Sequence, residues 1–190
     1  HLRGLLNLSL TGFSNVGYDI GGWDNKGEDI LYARWFAAGT FNPFMWAHGQ
    51  KEHEPYAHGP AAENAARFDL KIRYKLLPYL YSLAEQASRG GLPMIRPWPL
   101  VLENDPRSPE MFDEFFLGEG LLVAPLFNDE GTRKVELPEG TWHDFFDDSA
   151  PVLQGGGSVK VTQLPLERVP VFLRSGSVIP MGPAMQFSEE

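Results

Sequence analysis

The sequence has 190 residues, 43% hydrophobic and 13% aromatic, which is enough for one or two domains with a real core. With 25 acidic against 16 basic residues its formal net charge is −9, so nucleic acid and anionic membranes are not expected partners. No apolar run approaches the roughly 20 residues of a membrane helix, no signal peptide is visible, and the lack of cysteine excludes disulfides and thiolate chemistry.

The chain opens His1-Leu2-Arg3 without a methionine and reads as a piece of something longer. Residues 1–10 are apolar at Leu2, Leu5, Leu6 and Leu8 and read as the end of a helix. Thr11-Gly12-Phe13-Ser14 breaks it, and 15–20 reads as a short strand followed by a polar loop over 24–27. Over 28–38 the residues Ile30, Leu31, Trp35 and Ala38 recur at helical spacing, with Gly39 where a C-terminal cap is expected. A second short strand is predicted over 41–46, Pro43 being tolerable near its start. Residues 47–60 read as an irregular loop carrying three of the five histidines. Pro60 fits the first turn of a long helix over 61–89, ended by Gly90-Gly91, with Phe68, Ile72, Leu76, Leu80, Leu83 and Ala87 on one stripe. Pro78 lies inside that stripe, and the unbroken phase predicts one continuous, bent helix.

After Gly91 the helical period vanishes. Short β-type runs take over at 121–126, 133–137, 159–161, 171–173 and 178–180, separated by turns such as Pro138-Glu139-Gly140. Short strands at this spacing predict an antiparallel sandwich. The chain therefore divides near Gly91 into a β/α part, 1–91, and an all-β part, 92–190, with no internal repeat.

The stretch 17–48 organises the candidate chemistry. Strand, glycine-rich turn, helix, strand and loop follow in β/α order, and in such folds polar groups at strand C-termini carry the chemistry. Asp19 and Trp23 come at the end of one predicted strand and His48 after the next. An indole packs on the apolar face of a sugar ring, while a carboxylate and an imidazole take its hydroxyls in directed hydrogen bonds. Alternation through the second strand puts Phe44 and Trp46 on one side and Met45 on the other, with His48 joining Trp46 if the backbone stays extended. Each feature alone also has a plain reading, a turn or the rim of a core; the combination is what points to a polyhydroxylated ligand.

Other chemistries find less support. His53-Glu54-Pro55-Tyr56-Ala57-His58 has one residue too many between its histidines for a zinc helix, and Pro55 would break that helix. A solvated loop at the mouth of a site is the better reading, so no metal or other cofactor is expected. No Ser sits in a nucleophile elbow, and Gly155-Gly156-Gly157 lacks the lysine of a phosphate loop. The adjacent carboxylates Asp113-Glu114 and Asp147-Asp148 are read as solvated.

Several segments together resemble the C-terminal part of glycoside hydrolase family 31, the α-glucosidase and α-xylosidase superfamily. They include Gly17-Tyr18-Asp19-Ile20-Gly21-Gly22-Trp23, Leu31-Tyr32-Ala33-Arg34-Trp35, Gly39-Thr40-Phe41-Asn42-Pro43 and Arg73-Tyr74-Lys75-Leu76-Leu77-Pro78-Tyr79. In the β region Gly120-Leu121-Leu122-Val123-Ala124-Pro125, Leu137-Pro138-Glu139-Gly140-Thr141-Trp142 and Val171-Phe172-Leu173-Arg174-Ser175-Gly176 continue it in the family's order. The resemblance implies the last strands of a (β/α)8 barrel followed by a β-sandwich domain, and retaining hydrolysis or transfer of α-linked sugars through a covalent glycosyl-enzyme. It implies that nucleophile and acid/base aspartates lie before His1, so the chain alone is expected to be inactive and to need the rest of its barrel. Asp19, Trp23 and His48 match pocket positions that contact the sugar. The family most often has Arg two residues before that His; here Trp46 stands in its place, trading a charged fork for a stacking face. A non-catalytic carbohydrate-binding module and a transglycosylase of the same family remain the alternatives.

Overall fold

A computed structural model describes residues 1–24, 28–183 and 185–187. The predicted polar loop over 24–27 lies, apart from Asp24, outside the described residues.

Helix α1 (Leu2–Leu10) buries Leu2, Leu5, Leu6 and Ser9, a stripe at i, i+3, i+4 and i+7, and leaves Leu8 exposed. Strand β1 (Asp19–Ile20) pairs in parallel with β2 (Trp46–Ala47), Asp19 facing Trp46 and Ile20 facing Ala47. Helix α2 (Asp29–Gly39) is the crossover between them, as a parallel pair requires. Both strands are shorter than the runs 15–20 and 41–46 predict. They have each other as sole partners among the described residues, and Pro43 has no N–H with which to lengthen the ladder. Gly39 is the last helical residue rather than a left-handed cap. Its role is clearance: a Cβ there would lie 2.9 Å from Ile20 Cδ1, where the helix end crosses β1.

The single bent helix predicted over 61–89 is instead two helices, α3 (Gly59–Lys75) and α4 (Leu77–Gly90), separated by Leu76. Pro78 occupies the first turn of α4, where a missing N–H costs no intrahelical bond; in mid-helix its ring would clash with the Tyr74 carbonyl. Leu76 itself stays right-handed at φ −79°, ψ −6°, and Leu80 N donates to its carbonyl at 2.9 Å. Hence the apolar phase survives the break, and Leu76, Leu80, Leu83 and Ala87 are all buried.

The remainder is mainly antiparallel. Strands β3 (Ile95–Arg96), β4 (Phe115–Leu117), β5 (Leu121–Val123), β7 (Thr141–Asp144), β8 (Leu153–Gln154) and β10 (Val171–Arg174) form one sheet in the order β3-β4-β5-β10-β7-β8. Strands β6 (Arg133–Leu137) and β9 (Gly157–Val161) form a second, and a short helix α5 (Trp98–Val101) follows β3. Both faces of the larger sheet are covered. Phe115, Leu117, Leu121, Val123 and Val171 pack on α1 and α4, while Phe116, Leu122, Ala124 and Phe172 meet Val135 and Leu137 of the small sheet. That is why β4 and β5 read as unbroken apolar runs instead of alternating ones. The strand predicted at 178–180 is not formed: Val178 is 84% exposed and no described strand pairs with it. Thr141–Asp144 and Leu153–Gln154, half polar, escaped the pattern yet belong to the sheet.

Two carboxylates are buried among the described residues. Glu114 was expected to be solvated with Asp113, but only Asp113 is; Glu114 Oε1 accepts from Arg133 Nη2 and Glu136 N, each at 2.9 Å. Burial raises its pKa to about 7 against the pull of Arg133. Asp69 in α3 is 2% exposed, and burial, helped by the charge of Glu167, raises its pKa to about 9. A carboxyl whose folded pKa is raised stabilises the fold fully below its unfolded value near 3.8, and that contribution drains away as pH climbs toward 9. Asp69→Asn, which imitates the protonated acid, is therefore expected to melt above the parent at pH 8, by more than about 1.4 kcal/mol. The gap should close as pH falls toward 4. Thermal melts across that range check this; a gap that is constant or reversed contradicts it.

Candidate functional site

The site is assembled at the C-terminal ends of β1 and β2. Residue alternation through 44–48 decides its make-up: Phe44, Trp46 and His48 point one way, while Met45 turns back to the buried cluster of Ile20, Tyr32 and Phe36. The register sets Trp46 beside Asp19, and the indole Nε1 donates to the Asp19 carboxylate. After β1 the chain turns on Gly21 and Gly22, at φ +94° and +82°, and delivers Trp23 over the end of β2. Gln50 N donates to the Trp23 carbonyl at 2.9 Å and ties the two loops together.

Four rings and one carboxylate thus share a surface. Trp23 lies 5.3 Å from His48 and Trp46 6.3 Å from it, between ring centroids, and Phe44 stacks on Trp46 at 5.8 Å and 25°. Trp23, Trp46 and Phe44 remain 50%, 54% and 47% exposed, far more than aromatic side chains in a core. Such a surface offers apolar ring faces flanked by a carboxylate acceptor and an imidazole that can donate or accept. It can hold a flat-faced ligand with hydroxyls on its edge. The four residues singled out in the sequence, Asp19, Trp23, Trp46 and His48, are brought together; Phe44 extends their aromatic face.

The loop behind this face departs in part from expectation. It is solvated as expected at Gln50, Lys51, Glu52, Glu54 and Tyr56, but Pro55–His58 forms a 3-10 turn, and the His53 and His58 side chains turn inward, 3% and 1% exposed. His58 stacks on Tyr32 at 3.7 Å and 12°, with Nδ1 3.3 Å from Asp29 Oδ1. The Tyr32 hydroxyl donates to the His53 carbonyl at 2.7 Å. Its place after a strand sets His48 apart in the sequence, but spacing alone does not show that His53 and His58 are packed. The signal that does is a tyrosine in α2 one turn after Asp29, able to reach both. Among the described residues no group of three or more His, Asp or Glu could hold a metal ion, and no described helix is long and apolar enough to cross a membrane.

Two arginines hold the elements that carry the site. Arg73 of α3 donates to the carbonyls of Thr40 at 3.0 Å, Asn42 and Pro43 at 2.6 Å, pinning the segment that leads into β2; burial lowers its pKa to about 10. Arg34 of α2, 5% exposed, donates to the carbonyls of Leu164, Pro165 and Arg168 and so clamps α2 to the β region.

Comparison with known proteins agrees with this architecture. Residues 1–83 match the family model of the glycosyl hydrolases family 31 TIM-barrel domain, and 91–179 match that of the glycosyl hydrolase family 31 C-terminal domain. An alpha-glucosidase 2 of Bacillus thermoamyloliquefaciens is 32% identical over 97% of this chain and 24% of its own length. The neutral alpha-glucosidase C of Homo sapiens is 37% identical over 93% of this chain and 20% of its own. Among solved structures, a family 31 dextranase of Flavobacterium johnsoniae complexed with isomaltotriose superposes with a TM-score of 0.88 at 34% identity, over 97% of this chain and 24% of that one. A family 31 alpha-xylosidase of Xanthomonas citri does so with a TM-score of 0.88 at 30% identity, over 98% and 22%. The chain spans a quarter or less of the length of these relatives. Matched across a partial barrel and the antiparallel domain that follows it, the chain belongs to glycosyl hydrolase family 31, whose C-terminal portion it resembles throughout.

Proposed function

We propose that this chain supplies the sugar-contacting wall of the active site of a retaining α-glycosidase. The observation that carries this reading is the convergence of Asp19, Trp23, Trp46 and His48 on one exposed face at two adjacent parallel strand ends. Asp19 and His48 take hydroxyls of the sugar whose bond is cleaved. Trp23 and Trp46 cover its apolar face and exclude water. Hydrogen bonds of this kind act on rate when they tighten as the ring flattens toward an oxocarbenium ion. The nucleophile and the acid/base are two further carboxylates outside this chain, and no residue here takes either role. Residues 1–91 contribute the end of the barrel and 92–190 the domain that braces it. The substrate is an oligosaccharide or glycoside with an α-linkage, in keeping with relatives named for α-glucosidase, dextranase and α-xylosidase activity.

The test is turnover by the full-length protein of nitrophenyl α-glucoside, α-xyloside and α-galactoside. Hydrolysis of at least one is expected, and no turnover of any α-glycoside overturns the reading. Selectivity is expected to rest partly on Trp46. Its indole stacks and gives Asp19 one neutral donor, where an arginine would add charge and a second polar contact. Trp46→Arg should shift the ratios of kcat/KM among the three sugars by about tenfold or more, roughly 1.4 kcal/mol. A uniform loss with a lowered Tm would make Trp46 a packing residue instead.

A further inference from the structure

His53 is 97% buried by its exposure of 3%, yet neither ring nitrogen has a hydrogen-bond partner among the described residues. Burying an imidazole without partners costs free energy, so its retention calls for a reason in packing. That reason lies in what it touches. A Cβ on Gly21 would stand 2.7 Å from His53 Nδ1, and one on Gly49 would fall inside the contact radius of Nε2 and 2.5 Å from Cδ2. The ring is therefore wedged against both glycines. Gly21 belongs to the turn that delivers Trp23, and Gly49 follows His48 directly. The ring's backbone is in turn fixed from below, through the 2.7 Å bond from the Tyr32 hydroxyl to the His53 carbonyl.

We infer that His53 is a positioning residue, a buried spacer that sets the separation of the two strand-end loops and thereby the 5.3 Å approach of Trp23 to His48. This rests on the glycosidase reading above. Any side chain on Gly49 would have to displace the ring, and any loss of the ring lets the Trp23 turn and the His48 loop collapse toward each other. Gly49 has no left-handed backbone to defend. Its lack of a side chain answers to His53, and to the Gly22 carbonyl 2.8 Å from the same Cβ position.

The full-length protein tests this by a paired substitution, with activity expressed per folded protein. His53→Ala is expected to lower kcat/KM at least tenfold, and His53→Gln, which keeps the bulk, to stay within threefold of the parent. Gly49→Ala should also lose tenfold or more in the parent, and its further cost should be at least threefold smaller once His53→Ala has emptied the ring's space, the Gly22 carbonyl accounting for what remains. A ring that served only general stability would give losses that add, and additive losses overturn the inference. So would parent-like kinetics of His53→Ala, or a glutamine variant as impaired as the alanine one. Should His53→Ala not fold, His53→Asn, whose shorter side chain withdraws from Gly49, enters the same cycle with the same criteria. A parent without turnover defeats the glycosidase reading; an active parent with additive variants defeats this inference alone.

Discussion

His48→Ala in the full-length protein is expected to lower kcat/KM by about 2–4 kcal/mol, the scale of a transition-state hydrogen bond lost from a water-excluding site. The imidazole follows β2 immediately, and Trp23 and Trp46 hold it from two sides at 5.3 and 6.3 Å. Both flanking rings are half exposed, so nothing in the core depends on them and the variant should fold as the parent does. The loss should appear mainly in kcat, because a bond that strengthens as the ring flattens contributes little to ground-state binding. His58, stacked on Tyr32 and beside Asp29, faces inward; its substitution should lower Tm while sparing kcat/KM per folded molecule. Steady-state kinetics and melts of the two variants check this, and equal small effects on kcat/KM contradict it.

Arg34→Ala is expected to be the most damaging substitution to the fold away from the site. The guanidinium reaches Leu164 O at 2.7 Å, Pro165 O at 2.5 Å and Arg168 O at 3.3 Å from a nearly inaccessible position, and burial already lowers its pKa. Removing it strands acceptors and opens a void between α2 and the 164–168 loop. Three part-buried hydrogen bonds from a charged donor contribute about 1 kcal/mol or more each, so a loss of about 3 kcal/mol or more is expected. At roughly 2–4 °C per kcal/mol for a domain of this size, that is a Tm about 6–12 °C lower. Arg34→Lys should recover only part of it, since an ammonium cannot fork to three carbonyls. A Tm within a degree or two of the parent contradicts this account of the clamp.

What the sequence made legible follows from how local the signal is. The face shared by Phe44, Trp46 and His48 depends on backbone alternation alone, and it survives although β2 is only two residues long. The stripe Leu76, Leu80, Leu83, Ala87 likewise survives the break at Leu76. The break itself is hidden because an unbroken stripe fits equally a helix bent at Pro78 and a new helix that starts with Pro78 in its first turn. The burial of His53 and His58 is hidden for a different reason: it depends on Tyr32 and Gly21, distant in sequence, which together with the nearby Gly49 enclose these rings. Glu114 shows the same limit, its partner Arg133 lying 19 residues on, in β6. The order β3-β4-β5-β10-β7-β8 also depends on long-range pairing, and the half-polar strands β7 and β8 carry no period to detect.

The central claim is that the Asp19, Trp23, Trp46 and His48 face belongs to a retaining α-glycosidase. It is tested most directly by proton NMR of the first sugar released by the full-length protein from its best nitrophenyl α-glycoside, before mutarotation, with His48→Ala alongside. The account predicts that the α-anomer appears first and that the variant releases it far more slowly. Release of the β-anomer first, or equal rates from parent and variant, would contradict it.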